Sequence, residues 1–320
     1  MKTQINMTTS YTDMDRYPDR ETFLELIEPF DGVELMCFEP DDRQIISKER
    51  VVGLHMVCPP YWVDFWNGDL TACRRVMDTD ENIAMTFGGM DRNALLEHYR
   101  LDLAHAREYG AEYMVFHVSD CCAEEAITGK YVHTDAQVID ASCALLNELF
   151  EDVQDGPALL LENLWEPGLR FTDPEMTARL LEGVRYPNKG IMLDTGHLMH
   201  TNTALRTQKE SLEYIHSMLD LHGELCHAVR GIHLNQSLTG ALMRRYMRNP
   251  PAMLPTYAQR NGQIFEYIFQ IDVHRPFTCP GVGELIERID PEYLTFEFIS
   301  NDLREHKRML RAQLRALGRQ

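Results

Sequence analysis

Eight short apolar runs recur along this chain, and their spacing constrains the fold more than any other feature of the sequence. They are INMTT (5–9), GVELMCF (32–38), VVGLHMV (51–57), EYMVFHV (112–118), ALLLENL (158–164), GIMLDTG (190–196), VRGIHLN (229–235) and YLTFEFI (293–299). Most are near-continuous apolar stretches without strict polar alternation, the pattern of parallel strands buried on both faces. Between them, apolar residues fall at helical spacing. Residues 92–109 place Leu95, Leu96, Tyr99, Leu103 and Ala106 on one face, with Gly110 as a stop signal. Residues 134–151 open on Thr134 and carry Val138, Ile139, Leu145, Leu146 and Leu149. Asp173-Pro174 has the form of an N-cap followed by proline in the first turn. Residues 207–222 and 302–317 complete the helical segments.

Strands alternating with helices in this number predict an α/β fold, a (β/α)8 TIM barrel, for which about 250 residues is typical. The chain has 320, and all of it, 1–320, reads as one barrel domain. The excess falls in two long βα loops, 58–91 after the third strand and 236–271 after the seventh. Such loops stand at the catalytic face of a barrel. No linker, low-complexity tract or repeat interrupts the pattern. A doubly wound open sheet would be the alternative, but no GxGxxG phosphate loop follows the early strands.

Charge narrows the partners. With 31 Lys+Arg against 50 Asp+Glu the net charge is −19, which disfavours broad affinity for nucleic acid or anionic membranes. No stretch approaches the ~18 apolar residues a membrane span needs. The opening MKTQINMTTSYTDMDRYPDR lacks the apolar core of a secretory signal, so a cytoplasmic location is expected. Eight scattered cysteines with no CxxC pair read as reduced thiols in packing roles. The only dense basic patch is read at RRYMR (Arg244, Arg245, Arg248), as a solvated loop, a contact between copies in a homo-oligomer, or a clamp on a substrate phosphate.

The chemistry emerges when the C-terminal ends of the strands are read in order. The third ends near His55, the fourth at His117, the fifth at Glu162, and the sixth at Asp194 with His197 three residues on. The seventh ends near His233, the eighth holds Glu297, and Asp272 and His274 form a DxH pair before it. In a barrel these ends converge on one pocket. The set is histidine and carboxylate without cysteine, which suits a divalent ion such as Zn²⁺ or Mn²⁺ better than a structural thiolate site. Glu162 is centrally placed to bridge two ions. Taken singly, each histidine reads as a hydrogen-bonded polar group, and Glu297 in TFEF as half of a salt bridge. Six of the eight runs ending in a potential ligand is what favours a metal site.

FHVSD around His117, LLLENL around Glu162, GIMLDTGH around Asp194 and His197, RGIHLN around His233, IDVH around Asp272 and His274, and TFEF around Glu297 resemble the xylose isomerase-like barrel superfamily. Within it the pieces resemble endonuclease IV. The resemblance runs from about residue 50 to 300, and LDTGH and RGIHLN are its more specific pieces. Carried over residue by residue, it implies three ions. His55, His117 and Glu162 would hold the first; Glu162, Asp194, His233 and Glu297 the second; His197, Asp272 and His274 the third. The superfamily's sugar isomerases and epimerases typically keep only the second group, around one ion. In them the two glutamates also move protons, and the histidine after the aspartate contacts substrate. The chain departs from the pattern at Gln236, where the family has an acid, and in RPFTCPGVGE, CPPYWVDFWNGD and the long 236–271 loop.

Three functions follow as expectations. A sugar or sugar-phosphate isomerase or epimerase would use Glu162 and Glu297 as base and acid, with His197 holding a hydroxyl and one to three ions per chain. A phosphodiesterase resembling endonuclease IV would use all nine ligands, but a duplex binder also needs a basic stripe and intercalating side chains. A barrel without activity, used as a scaffold, is the third. The acidic balance and divergent loops favour the small-molecule reading. Candidate substrate contacts are Trp62 and Trp66 (stacking on a sugar or closing the barrel), Asn163, Asn235, Arg244 and Arg245.

Overall fold

In a computed structural model, which describes residues 1–319, the apolar runs form eight strands: β1 (Lys2–Thr8), β2 (Gly32–Met36), β3 (Val51–His55), β4 (Tyr113–His117), β5 (Ala158–Glu162), β6 (Lys189–Asp194), β7 (Val229–His233) and β8 (Tyr293–Phe296). Each pairs in parallel with the next, and β8 returns to β1, so the sheet closes into a barrel with no free edge. Closure explains why the runs lack polar alternation, since both faces are covered. Met114, Phe116, Leu159, Leu161, Ile191, Leu193, Ile232, Leu294 and Phe296 belong to the large cluster that packs strands on helices. The residues between them, Tyr113, Val115, Ala158, Leu160, Met192 and Tyr293, form a separate cluster that fills the barrel. One more step of the two-residue period along the interior face arrives at His117, Glu162 and Asp194.

β1 begins at Lys2, three residues before the apolar run, because the barrel interior accepts polar residues that have partners. Gln4 is fully buried there and donates to the Tyr113 hydroxyl at 2.8 Å and to Thr295 Oγ1 at 3.0 Å. The expected helices form at Arg92–Tyr109, Asp135–Leu149, Pro174–Gly183, Gln208–His222 and Leu303–Ala316. Their ends follow the sequence signals. Thr134 and Thr207 make capping boxes, Asp173 caps with Pro174 behind it, and Gly110 closes its helix in the left-handed conformation at φ 68°. Between β2 and β3 the described residues hold only a three-residue 3-10 turn, Lys48–Arg50, and no α-helix. Arg304, Arg308, Arg311 and Arg315 recur at helical spacing and stand exposed along Leu303–Ala316, so the 244–248 patch is not the only one.

Both long loops are helical. The first holds Val63–Trp66, Leu70–Met77 and Asp80–Phe87; the second holds Gly240–Arg248 and Tyr257–Ile271, which pack with Ala123–Thr128 over the rim. The structure corrects the reading of Trp62 and Trp66 as sugar-stacking residues. Trp62 is 1% exposed, its indole N–H donates to the Ser119 carbonyl at 2.8 Å, and its ring meets Phe116 edge-on. Trp66 is buried under the Arg92 guanidinium, 4.8 Å from the ring centre. Their large apolar area is satisfied by anchoring the loop to the barrel wall.

A charged latch completes that anchor. Asp120 Oδ1 accepts the backbone N–H groups of Trp62 and Val63 at 2.6 and 2.9 Å, while His133 bridges Asp120 and Asp64 at 3.1 Å each. Hydrogen bonds to Asp120 and Asp64 outweigh burial and push the His133 pKa up to about 10. A folded-state pKa above the unfolded value of about 6.5 means that this contribution is complete below that pH. It is lost as pH rises through about 10. The His133→Gln variant should be less stable than the parent by about 2 kcal/mol at neutral pH. The gap should close as pH is raised through about 10, followed by urea unfolding; a gap independent of pH would contradict the latch.

Candidate metal centre

The two-residue period and the strand register together decide which side chains meet. His117 lies opposite Glu162 across β4 and β5, Asp194 opposite His233 across β6 and β7, and Glu297 directly follows β8. Glu162, Asp194 and His233 are fully buried; His55, His197, Asp272 and His274 are nearly so. Side-chain exposure remains at His117 (27%) and Glu297 (13%), which marks the open side of the centre.

Glu162 is the hub. Its Oε2 lies 3.1 Å from His55 Nε2 and 3.2 Å from His117 Nε2. Its Oε1 lies 3.1 Å from His197 Nδ1 and 3.3 Å from His233 Nδ1. His233 Nδ1 is also 3.4 Å from Glu297 Oε2 and 3.9 Å from Asp194 Oδ2. Asp272 Oδ2 sits 2.8 Å from His274 Nε2 and 3.3 Å from His197 Nε2. The nine residues singled out as ligands thus stand in one continuous layer. Ligand atoms within 4.8 Å of one another occur in His55–His117–Glu162, in Glu162–Asp194–His233–Glu297 and in Asp194–His197–His274. The last group differs from the expected trio, with Asp194 where Asp272 was placed. Asp272 instead lies against the Nε2 edges of both histidines.

The specific motifs owe their composition to this layer. Asp194 caps the helix Thr195–His200, accepting the His197 N–H at 2.5 Å. Thr195 Oγ1 donates to the Asn235 carbonyl at 2.6 Å and accepts the Asn235 N–H at 3.1 Å, tying LDTGH to RGIHLN. Asn235 Nδ2 then reaches Asp194 Oδ2 at 2.7 Å and Glu297 Oε2 at 3.3 Å. Gly196 is required by close approach, since a Cβ there would lie 1.9 Å from Asn235 Oδ1. His274 holds φ 42°, a strained value for a residue with a side chain. The Ser237 hydroxyl supports that bend, accepting the N–H groups of Val273 and His274 at 3.1 and 3.3 Å.

Some of these histidines and carboxylates are hydrogen-bonded, as His55 Nε2 is to Glu162 and His274 Nε2 to Asp272, but other atoms of the layer are left over. Glu162 Oε1, His233 Nδ1 and His274 Nδ1 are buried with no hydrogen-bond partner. Buried polar atoms are nearly always paired, and a divalent ion is a group that would satisfy such oxygen and nitrogen lone pairs at once. The donor set fits it. Burial opposes charge on His233, yet Glu297, Glu34 and Glu162 hold its pKa well above the ordinary histidine value. His197 is raised likewise against burial, by Asp194 and Asp272. Burial, with Asp194 and Glu162 adding, pushes Glu297 up to about 7, against the pull of His233 and His274.

The other candidates are placed differently. Asn163 is committed to backbone, donating to the Asp194 carbonyl at 3.1 Å and accepting its N–H at 2.9 Å, so it positions Asp194 instead of contacting substrate. Asn235 keeps an unpartnered Oδ1 beside the layer. Arg244 is engaged by the Thr203 carbonyl and Arg245 is exposed; among the described residues no ion pair links either to the centre. Four buried residues went unremarked in the sequence. Glu34 faces His233, and His200 lies against the Ile271 carbonyl at 3.1 Å. Trp165 covers His197 and His200, with ring centres 5.2 and 4.5 Å away. Glu166 is held near pKa 7 by burial. An acid inside the apolar run GVELMCF was the available signal for Glu34, the same signal that marked Glu297 in TFEF.

No protein-family model matches the chain, and no curated protein matches it. Solved structures do. D-psicose 3-epimerase in the presence of D-fructose is 12% identical, aligned over 99% of this chain and 100% of its own, with a TM-score of 0.53. 3-Keto-D-glucoside 4-epimerase from E. coli is 11% identical over 98% and 99%, with a TM-score of 0.50. Endonuclease IV from Thermus thermophilus is 15% identical over 99% of each chain, with a TM-score of 0.45. The fold shared with the first two is the (β/α)8 TIM barrel. At these identities the likeness concerns architecture alone.

Two outcomes test the centre. Because Asp272 and Glu297, against burial, raise His274 to about 9 and neighbouring carboxylates hold His233 and His197 above the ordinary histidine value, zinc uptake should release protons and its affinity should rise with pH. Calorimetry in buffers of different ionisation enthalpy measures this; binding without proton release would contradict it. Gly196→Ala should displace Asn235 and weaken zinc by about 10-fold in a chelator competition, as losing an outer support does.

Proposed function

We propose that the chain is a divalent-metal-dependent enzyme acting on a small sugar or sugar phosphate, as an isomerase or epimerase. The observation that carries this reading is a pair of carboxylates, Glu162 and Glu297, flanking His233 Nδ1 at 3.3 and 3.4 Å inside a buried layer open at one side. That only His117 and Glu297 keep partial exposure supports a small polyhydroxy substrate over an extended one. The names of two fold relatives, psicose and keto-glucoside epimerases, agree with it.

Glu162, Asp194, His233 and Glu297 would hold the ion, zinc or manganese. Once bound, it supplies positive charge that polarises adjacent substrate oxygens. One glutamate removes a carbon-bound proton, and the other delivers a proton to the product, each within reach of the same point. Asn235 keeps Asp194 and Glu297 oriented through its amide. His197 is steadied by its Nδ1–H on the Asn163 carbonyl at 3.0 Å, and it offers a contact for a substrate hydroxyl. Trp165 over His197 excludes water from that side.

A second reading, an endonuclease IV-like phosphodiesterase, is favoured by the further ligands beside this group: His55 and His117 on one flank, His197, Asp272 and His274 on the other. Metal analysis of the purified protein should find one to three transition ions per chain. With a ketose panel in deuterated water, the first reading expects label at the carbon next to the carbonyl. Cleavage of an abasic-site duplex without such exchange would replace it by the second. Glu297→Gln should lower turnover by about 10²-fold or more; full activity in that variant, or no bound metal, would overturn the assignment.

A further inference from the structure

Glu34 takes no part in the proposed chemistry, yet it is one of the most constrained side chains in the barrel. It lies on the interior face of β2, 2% exposed. A carboxylate buried that deeply is costly unless every lone pair finds a donor. Here the Tyr113 hydroxyl donates to Oε2 at 2.6 Å and Thr295 Oγ1 donates to it at 3.1 Å. His233 Nε2 spans both oxygens, 2.9 Å from Oε1 and 3.0 Å from Oε2. The donors are themselves held. Gln4 reaches both hydroxyls, and Gly53 leaves room for the Tyr113 ring, which a Cβ at that position would approach to 2.1 Å.

An acceptor-only carboxylate on both sides of Nε2 requires that nitrogen to carry a hydrogen. The opposite nitrogen, Nδ1, is then the one left for a metal, and it has no hydrogen-bond partner while facing Glu162, Glu297 and Asp194. Glu34, His55 and His233 also lie close enough to hold an ion themselves. That arrangement is disfavoured because Glu34 is already saturated. The His55 ring is engaged too, Nδ1 by the Met56 carbonyl at 2.9 Å and Nε2 by Glu162 at 3.1 Å. His55 and His197 use backbone carbonyls as outer partners; His233 uses a full negative charge.

We infer that Glu34 is a positioning residue for the metal centre: anchored by Tyr113 and Thr295, its carboxylate takes the Nε2–H of His233 and turns the unprotonated Nδ1 toward Glu162, Asp194 and Glu297. The inference rests on the metal-dependent reading above. A charged outer partner orients the ring and raises its basicity as a ligand, and removing such partners typically weakens metal binding 10–100-fold.

The test uses the full chain loaded with zinc. In the parent, proton NMR should show a slowly exchanging, strongly deshielded imidazole N–H that correlates with His233 Nε2. Glu34→Gln, nearly the same shape without the charge, should weaken zinc 10–100-fold by chelator competition and shift or abolish that signal. Equal zinc affinity in a folded Glu34→Gln protein overturns the inference and leaves the functional reading standing. A parent spectrum that places the His233 proton on Nδ1 in the zinc-loaded chain does the same, and it decides the matter even if the variant fails to fold. A parent that takes up no zinc overturns both together.

Discussion

The structure depends on the burial of the Glu162 carboxylate among four imidazoles, those of His55, His117, His197 and His233. Closing a parallel sheet drives alternate residues into a space from which water is excluded. A charge delivered there must be met by other charges or by hydrogen bonds. Below this layer the barrel meets the requirement with apolar residues and with the Gln4–Tyr113–Thr295 hydrogen bonds. At the layer itself the balance is between carboxylates and imidazoles, several of whose atoms stay unpartnered. That residual imbalance makes the layer a candidate for a cation and ties the electrostatics of the fold to its chemistry.

The supports around the layer follow the same logic of position. Asn163 holds the Asp194 backbone, Thr195 and Asn235 join two strand ends, and Ser237 sustains the strained turn that presents His274. The long loops are anchored away from the layer, by Trp62 in the wall and by the His133 bridge between Asp64 and Asp120. The net charge of −19 includes buried acids such as Glu34, Glu162 and Asp194, and on the outside the charge is uneven, since the helix Leu303–Ala316 exposes a row of arginines.

Much of the site was legible before any coordinates. Strand ends in a barrel share one rim, so a histidine or acid at the end of an apolar run has a defined neighbourhood once the barrel is recognised. His117, Glu162, Asp194 and His233 were located that way. Glu34 escaped because it sits in the middle of its run, where the eye expects packing, although an acid amid apolar residues carries the same warning as Glu297. His200 ends the short helix Thr195–His200 and Glu166 lies in the bend after β5, segments whose course the periodicity does not describe. Trp62 and Arg244 have side chains whose partners are set by distant backbone, at Ser119 and Thr203, and Trp66 lies under the Arg92 guanidinium.

Strand number, parallel pairing, helix caps and the choice of nine candidate ligands follow from local pattern, because hydrophobic period and capping chemistry act within a few residues. The grouping of those nine is another matter. Which oxygen of Glu162 faces which histidine, the approach of Asp194 to His233, and the Glu34 contact that orients His233 arise from register across a closed sheet. Register joins residues as far as 291 positions apart, at Gln4 and Thr295, and 199 apart at Glu34 and His233, and no short window of sequence contains both ends of such a contact.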